Sequence, residues 1–146
     1  MSTEMNVSAV RRFFEALSAD PEVLLKAIDD LFAPGLVTHG DTLFPQPVAH
    51  GTEGLKQGLT GFKAAFPDVA ATVQQIIGEG DKVMSHIQLT GTHEAEWMGV
   101  SATHKELIWT ATQIVRFNDE GKAVERWVID DQLAMLQQLG RVSLGQ

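Results

Sequence analysis

The stretch GKAVERWVIDDQLAMLQQLG, residues 121–140, contains both periods from which this fold is built. Its first half, Lys122 to Ile129, has the β-branched and aromatic composition of a strand and follows the turn-like run Asn118-Asp119-Glu120-Gly121. In its second half Leu133, Leu136 and Leu139 give helical core spacing, with Gly140 as a stop. Asp130 and Asp131 stand where the halves meet. Strand alternation puts Trp127, Ile129 and Asp131 on one face, and Arg126, Val128 and Asp130 on the other. Asp131 is therefore expected beside a large apolar ring. Lost solvation there raises a carboxyl pKa from about 3.9 toward the range useful for acid–base work. The competing reading has Asp130 or Asp131 capping the helix that follows.

Upstream of this stretch the period stays at two. Val69, Ala71, Val73 and Ile77 alternate with polar or small residues, Gly78-Glu79-Gly80-Asp81 makes a hairpin, and a returning strand runs from Lys82 to about His93. Val83, Ile87, Leu89 and His93 share one face of that strand. A long loop from Glu94 to Lys105 precedes another strand, Leu107 to Phe117. Before Pro67 the period is helical. Val7, Val10, Phe13, Phe14 and Leu17 form one stripe; Leu24, Leu25, Ile28, Leu31 and Phe32 form a second, opened by Asp20-Pro21 and closed by Pro34-Gly35. Leu36 to His39 reads as a short extended piece, and the loop that includes Gly40, Asp41, Pro45, Pro47, His50 and Gly51 as a lid or rim. Thr52 is placed to cap a third helix carrying Leu55, Leu59, Phe62 and Phe66. Helices first and strands afterwards predict an α+β fold, with a curved antiparallel sheet wrapped around the N-terminal helices. Such a cone has an apolar interior suited to a small hydrophobic molecule.

The 146 residues are enough for one domain, 1–146, with its own core. A net charge of −8 opposes binding to nucleic-acid backbones and to anionic membranes, so neither partner is expected. Without cysteine, disulfides, thiolate nucleophiles and Cys-based zinc sites are excluded. The N-terminus lacks a basic segment followed by an apolar core, and no apolar run is long enough to span a bilayer, which makes a cytoplasmic location the simplest expectation. No Gly-x-Ser-x-Gly and no phosphate-cradling glycine motif is present.

Of the histidines, none has metal-ligand spacing, and no metal or cofactor is expected. His93 projects with the apolar face of its strand, and His39 closes the short extended piece. Either is an ordinary hydrogen-bonded histidine or a group that polarises a carbonyl while Asp131 moves a proton. His50, His86 and His104 rank lower. Trp97, Trp109 and Trp127 fill the core or line a pocket for a planar ligand, with Phe62, Phe66 and Ile129 as further candidate lining. Apolar residues on the outward sheet face, Ile108 and Ile114, predict pairing with a second copy as a homodimer or larger homo-oligomer.

Taken in order, Phe66-Pro67-Asp68, Gly80-Asp81-Lys82-Val83, Gly91-Thr92-His93, Arg116-Phe117 with Gly121-Lys122, Trp127 to Asp131, and Gln137-Gln138-Leu139-Gly140 resemble the SnoaL-like polyketide cyclases. The resemblance runs from about Val7 to Gly140 and implies the cone-shaped α+β fold shared with nuclear transport factor 2 and ketosteroid isomerase. It also implies dimers or larger oligomers and an intramolecular aldol condensation on a polyketide, without metal or organic cofactor. By that resemblance Asp131, four residues after Trp127, matches the acid/base aspartate, and His39 and His93 match positions near the pocket. Epoxide hydrolysis, or another lyase or isomerase reaction on the same scaffold, and non-catalytic ligand carriage are the alternatives.

Overall fold

The computed structural model describes residues 2–40 and 51–143. The elements run α1 (Thr3–Leu17), α2 (Pro21–Leu31), β1 (Phe32–His39), α3 (Gly51–Ala65), β2 (Ala70–Glu79), β3 (Lys82–Thr92), β4 (Glu106–Phe117), β5 (Ala123–Asp130) and α4 (Gln132–Gln138). This is the expected α+β segregation. The strands form one curved sheet in the order β1-β5-β4-β3-β2, packed against the N-terminal helices. Strands β2 to β5 are the expected antiparallel meander.

The first departure is β1, which pairs in parallel with β5 and makes the sheet mixed. Pro34 and Gly35 do not end a helix. The chain leaves α2 at Phe32, whose backbone is already extended, and both residues lie inside β1. Proline is tolerated there because β1 is an edge strand whose register with β5 shifts between Phe32 and Val37. Helix α1 begins earlier than its apolar stripe, because the Ser2 side chain accepts from the Met5 N–H at 3.1 Å. Asp20 stands at the N-cap of α2 without a side-chain capping bond, and Thr52 lies within α3 rather than before it. Of the expected rim, residues 41–50, including His50, lie outside the described residues.

The core sits between α1, α2, α3 and the inner sheet face. Phe13, Phe14 and Leu17 of α1, Leu24 and Ile28 of α2, and Leu55, Leu59 and Phe62 of α3 meet the alternating inner positions of β3 and β4. Those positions include Val83, Ile87 and Leu89, then Leu107, Trp109, Ala111, Val115 and Phe117. Lys63 locks α3 to the end of α1. Its buried Nζ donates to the carbonyls of Leu17 (3.0 Å) and Ala19 (2.6 Å), satisfying acceptors that a helix end leaves open, and burial lowers its pKa.

The motifs at the sheet's other end have mechanical roles. A side chain at Gly91 would meet the Phe66 ring at 3.1 Å, so glycine lets α3's exit pack on β3. Asp68 then clamps the same strand, accepting from the Thr92 N–H and hydroxyl at 2.7 Å each. Gln138 docks α4 on β4. Its Oε1 accepts from the Ile108 N–H at 2.8 Å and its Nε2 donates to the Ile108 carbonyl at 2.7 Å. Met135 of α4 and Leu139 at its C-cap are buried, whereas Leu133, expected in the core, is 46% exposed.

The Thr92 bonds hold the Asp68 carboxyl below its ordinary pKa. A lowered pKa contributes stability above the unfolded value and loses it as pH falls through the folded one. Asp68→Asn should therefore cost about 1 kcal/mol or less at pH 7, the site being solvent-exposed. The difference from wild type should shrink below about pH 4, as read from urea unfolding at both pH values.

Candidate active-site cavity

A cavity of about 60 Å³ opens on the inner sheet face. Its apolar wall comes from Phe13, Phe14 and Leu17 of α1, Leu59 and Phe62 of α3, and Ile87 and Leu89 of β3. Its polar end comes from Gln113 on β4 and from Arg126 and Asp130 on β5. That volume holds a few waters, the scale of the reacting end of a larger molecule.

The polar end follows from strand register. Asp130 lies directly across from Ala111, whose short side chain leaves space beside the carboxyl. Gln113 lies across from Val128, one inward position from Arg126. Gln113 and Arg126 are 3% and 5% exposed, and the guanidinium donates from Nε (3.1 Å) and Nη2 (3.0 Å) to Gln113 Oε1. A cation, an anion and an amide thus line one largely apolar chamber, where charges act on one another more strongly than in water.

Asp131 is not in this chamber. It is exposed and forms the N-cap of α4, its Oδ1 accepting from the Ala134 N–H at 3.1 Å. Alternation in β5 is as expected, but the face with Trp127 and Ile129 points outward, and Ile129 is 73% exposed. Trp127 stacks on His39 with ring centroids 5.2 Å apart. The expected burial fails because both faces of β5 carry apolar residues and the inner one also accommodates Arg126. The sequence signal that points to this face is Gln113, a lone amide among the apolar inward positions of β4.

The other candidates divide between core and surface. His39 lies on the outer face with its Nε2 2.7 Å from Glu125 Oε2, and the other oxygen of Glu125 accepts from Arg116 Nε at 3.0 Å. His39 first and Arg116 second hold the Glu125 carboxyl below its usual range. His93 is fully buried but does not line the cavity. Its Nδ1 accepts from the Thr103 N–H at 3.1 Å, which places the proton of the neutral ring on Nε2. Its ring lies 5.7 Å from Phe66, and burial lowers its pKa, offset in part by the backbone at Val100 and Ala95. Phe66, Trp97 and Trp109 form an aromatic cluster with Phe62, and of these Phe62 reaches the cavity. His86 bonds Thr112, and His104 bonds Glu94. Among the described residues no group of three or more His, Asp or Glu is placed to hold a metal ion, and no helix is long and apolar enough to cross a membrane.

A family model for the SnoaL-like polyketide cyclases matches residues 8–139. The chain belongs to that family. Among similar solved structures, IdmH from Streptomyces antibioticus, proposed to be a polyketide cyclase, is 34% identical, with 92% of this chain and 98% of that one covered at a TM-score of 0.76. AclR from Streptomyces galilaeus, proposed to be a hydroxylase, is 26% identical over 97% of this chain and 100% of that one, with a TM-score of 0.82. A protein from Bacillus cereus ATCC 10987, also proposed to be a polyketide cyclase, is 28% identical over 95% and 83% of the two chains at a TM-score of 0.76. No curated protein matches the chain significantly. In this SnoaL-like chain, then, the last residue of β5 and the helix cap that follows it are adjacent aspartates in opposite environments.

The two aspartates should separate in a stability measurement. Asp131→Ala removes a cap and should lower the unfolding free energy by about 1 kcal/mol, whereas Asp131→Ser keeps a capping oxygen and should change it by a few tenths. Urea titration of both variants checks this.

Proposed function

We propose that the chain is a cofactor-independent cyclase that closes a ring by intramolecular aldol condensation on a hydrophobic carbonyl compound, with Asp130 as the acid/base group. The observation that carries this reading is a carboxylate at the end of an otherwise apolar cavity, beside a buried Arg–Gln pair. Asp130 takes a proton from a carbon flanked by two carbonyls, leaving an enolate. The enolate carbon forms a bond to the carbon of a third carbonyl of the same molecule, whose oxygen becomes an alkoxide and recovers the proton from Asp130. Nothing is oxidised or reduced, and the product is an isomer of the substrate. The apolar wall folds the chain of the substrate so that the reacting carbons meet.

The assignment of Asp130 departs from the match at Asp131 and is tested by comparing them. With a candidate 1,3-dicarbonyl polyketide, Asp130→Asn should lower turnover about 10²- to 10⁴-fold, and Asp131→Ser should retain it. Equal turnover of Asp130→Asn and wild type would reject the reading, and solvent oxygen in the product would favour epoxide opening.

The same reading extends to assembly. Met84, Ile114, Trp127 and His39 are consecutive partners across β3, β4, β5 and β1, forming one row on the outer sheet face near exposed Ile108 and Ile129. A patch that crosses four strands is suited to a second copy of the chain, related by a two-fold axis. Ile129→Lys should shift the protein toward monomer in light scattering without changing its circular dichroism. If wild type is itself monomeric at micromolar concentration, this assembly is wrong.

A further inference from the structure

We infer that Gln113 is the oxyanion donor of this cavity, with Arg126 as the residue that positions and activates it. The inference rests on the cyclase reading. Gln113 occupies an inward position of β4 between Ala111 and Val115, where the chain otherwise places apolar side chains. Its orientation is fixed, because an arginine has only donors and both Nε and Nη2 point to one oxygen of the amide. The amide nitrogen is therefore turned away from the guanidinium.

That nitrogen is buried and has no hydrogen-bond acceptor among the described residues. Ser85, directly across from Gln113 in the β3–β4 ladder, is as deeply buried, yet its Oγ and Gln113 Nε2 do not bond each other. A buried N–H without an acceptor bears the full cost of its desolvation, which an incoming oxygen relieves. Gln113 lines the same cavity as Asp130, so the oxygen of a carbonyl whose neighbouring carbon faces Asp130 is the acceptor that chemistry supplies.

The pair does more than a lone amide. A guanidinium on Oε1 draws electron density from the amide and makes its N–H a stronger donor, a cooperative effect that grows in a low-dielectric site. As Asp130 removes the proton, the C–H electron pair moves into the carbonyl and charge develops on its oxygen, where Nε2–H donates to it. When the pair returns to form the new carbon–carbon bond, the proton on Asp130 goes to the new alkoxide and the Gln113 bond weakens again. Donation that strengthens only as charge develops is the kind that raises rate.

The test uses 1,3-cyclohexanedione, an enolate at neutral pH, against neutral cyclohexanone, each titrated calorimetrically into the full chain. Wild type should bind the enolate about tenfold or more tightly than the ketone. Gln113→Glu leaves Arg126 an acceptor oxygen but replaces the donor with a second oxygen, and should erase that preference while circular dichroism stays unchanged. Asp130→Asn should keep it. An unchanged preference in Gln113→Glu, or no preference in wild type, which needs no variant to fold, would overturn the assignment. Should enolate preference follow Gln113 while no cyclisation is found, the cyclase reading fails and the donor stands. If cyclisation is found and Gln113→Glu matches wild type in turnover, the donor assignment alone fails.

Discussion

The contact between the Arg126 guanidinium and Gln113 Oε1 decides which way the last strand faces. Burying a guanidinium is costly unless its donors are met, and here part of that requirement is met inside the sheet by an amide on the adjacent strand. With Arg126 inward, alternation brings in Val128 and Asp130 and sends out Trp127, Ile129 and Asp131. A register slip of one residue would exchange the two sets, so this polar contact also selects which carboxylate the cavity receives.

The helices and the strands β2 to β4 were legible in the sequence because one period dominates each. Val83, Ile87 and Leu89 alternate with polar neighbours, and their side chains are where that pattern puts them. The strand β5 was ambiguous for a physical reason. Trp127 and Ile129 outweigh Val128 by apolar area, yet the outer sheet face bears the larger residues. Area predicts burial only where a strand has one dry face, and the row from Met84 to His39 makes the outer face apolar as well. The strand β1 was hidden by Pro34 and Gly35, local stop signals that an edge position accommodates. The parity of His93 was readable, but its partners come from Thr103 and Phe66, and that packing has no signature at the level of spacing.

Several residues that carry the likeness to SnoaL-like cyclases are explained by mechanics. Phe66 needs Gly91 to be small, Asp68 clamps Thr92, and Gln138 joins α4 to β4. Asp131 belongs with them here, since its bond to the Ala134 N–H starts α4, and Met135 of that helix and Leu139 at its C-cap help close the core. The carboxylate at a motif position and the carboxylate at the cavity are thus separable, although they are neighbours in sequence. The motif fixes the turn from strand to helix, which begins directly after Asp130, the last residue of β5 and the partner of Ala111 on β4.

This arrangement also explains why the cavity's polar end is not simply apolar. A buried ionic or amide group is seldom the most stabilising choice, since well-packed hydrophobic side chains of similar volume are often as stable or more so. Gln113 sits among positions where the same strand uses Leu107, Trp109, Ala111, Val115 and Phe117, so an apolar residue would fit its pattern. Arg126 would then lose an acceptor, and an apolar residue there would remove the need for one. The two polar residues make sense together, and on the proposed reaction they make sense beside Asp130, because charge developing at this end of the chamber would meet fixed dipoles that water need not supply. Stability alone does not call for that pair, whereas the proton transfer proposed for this chamber does.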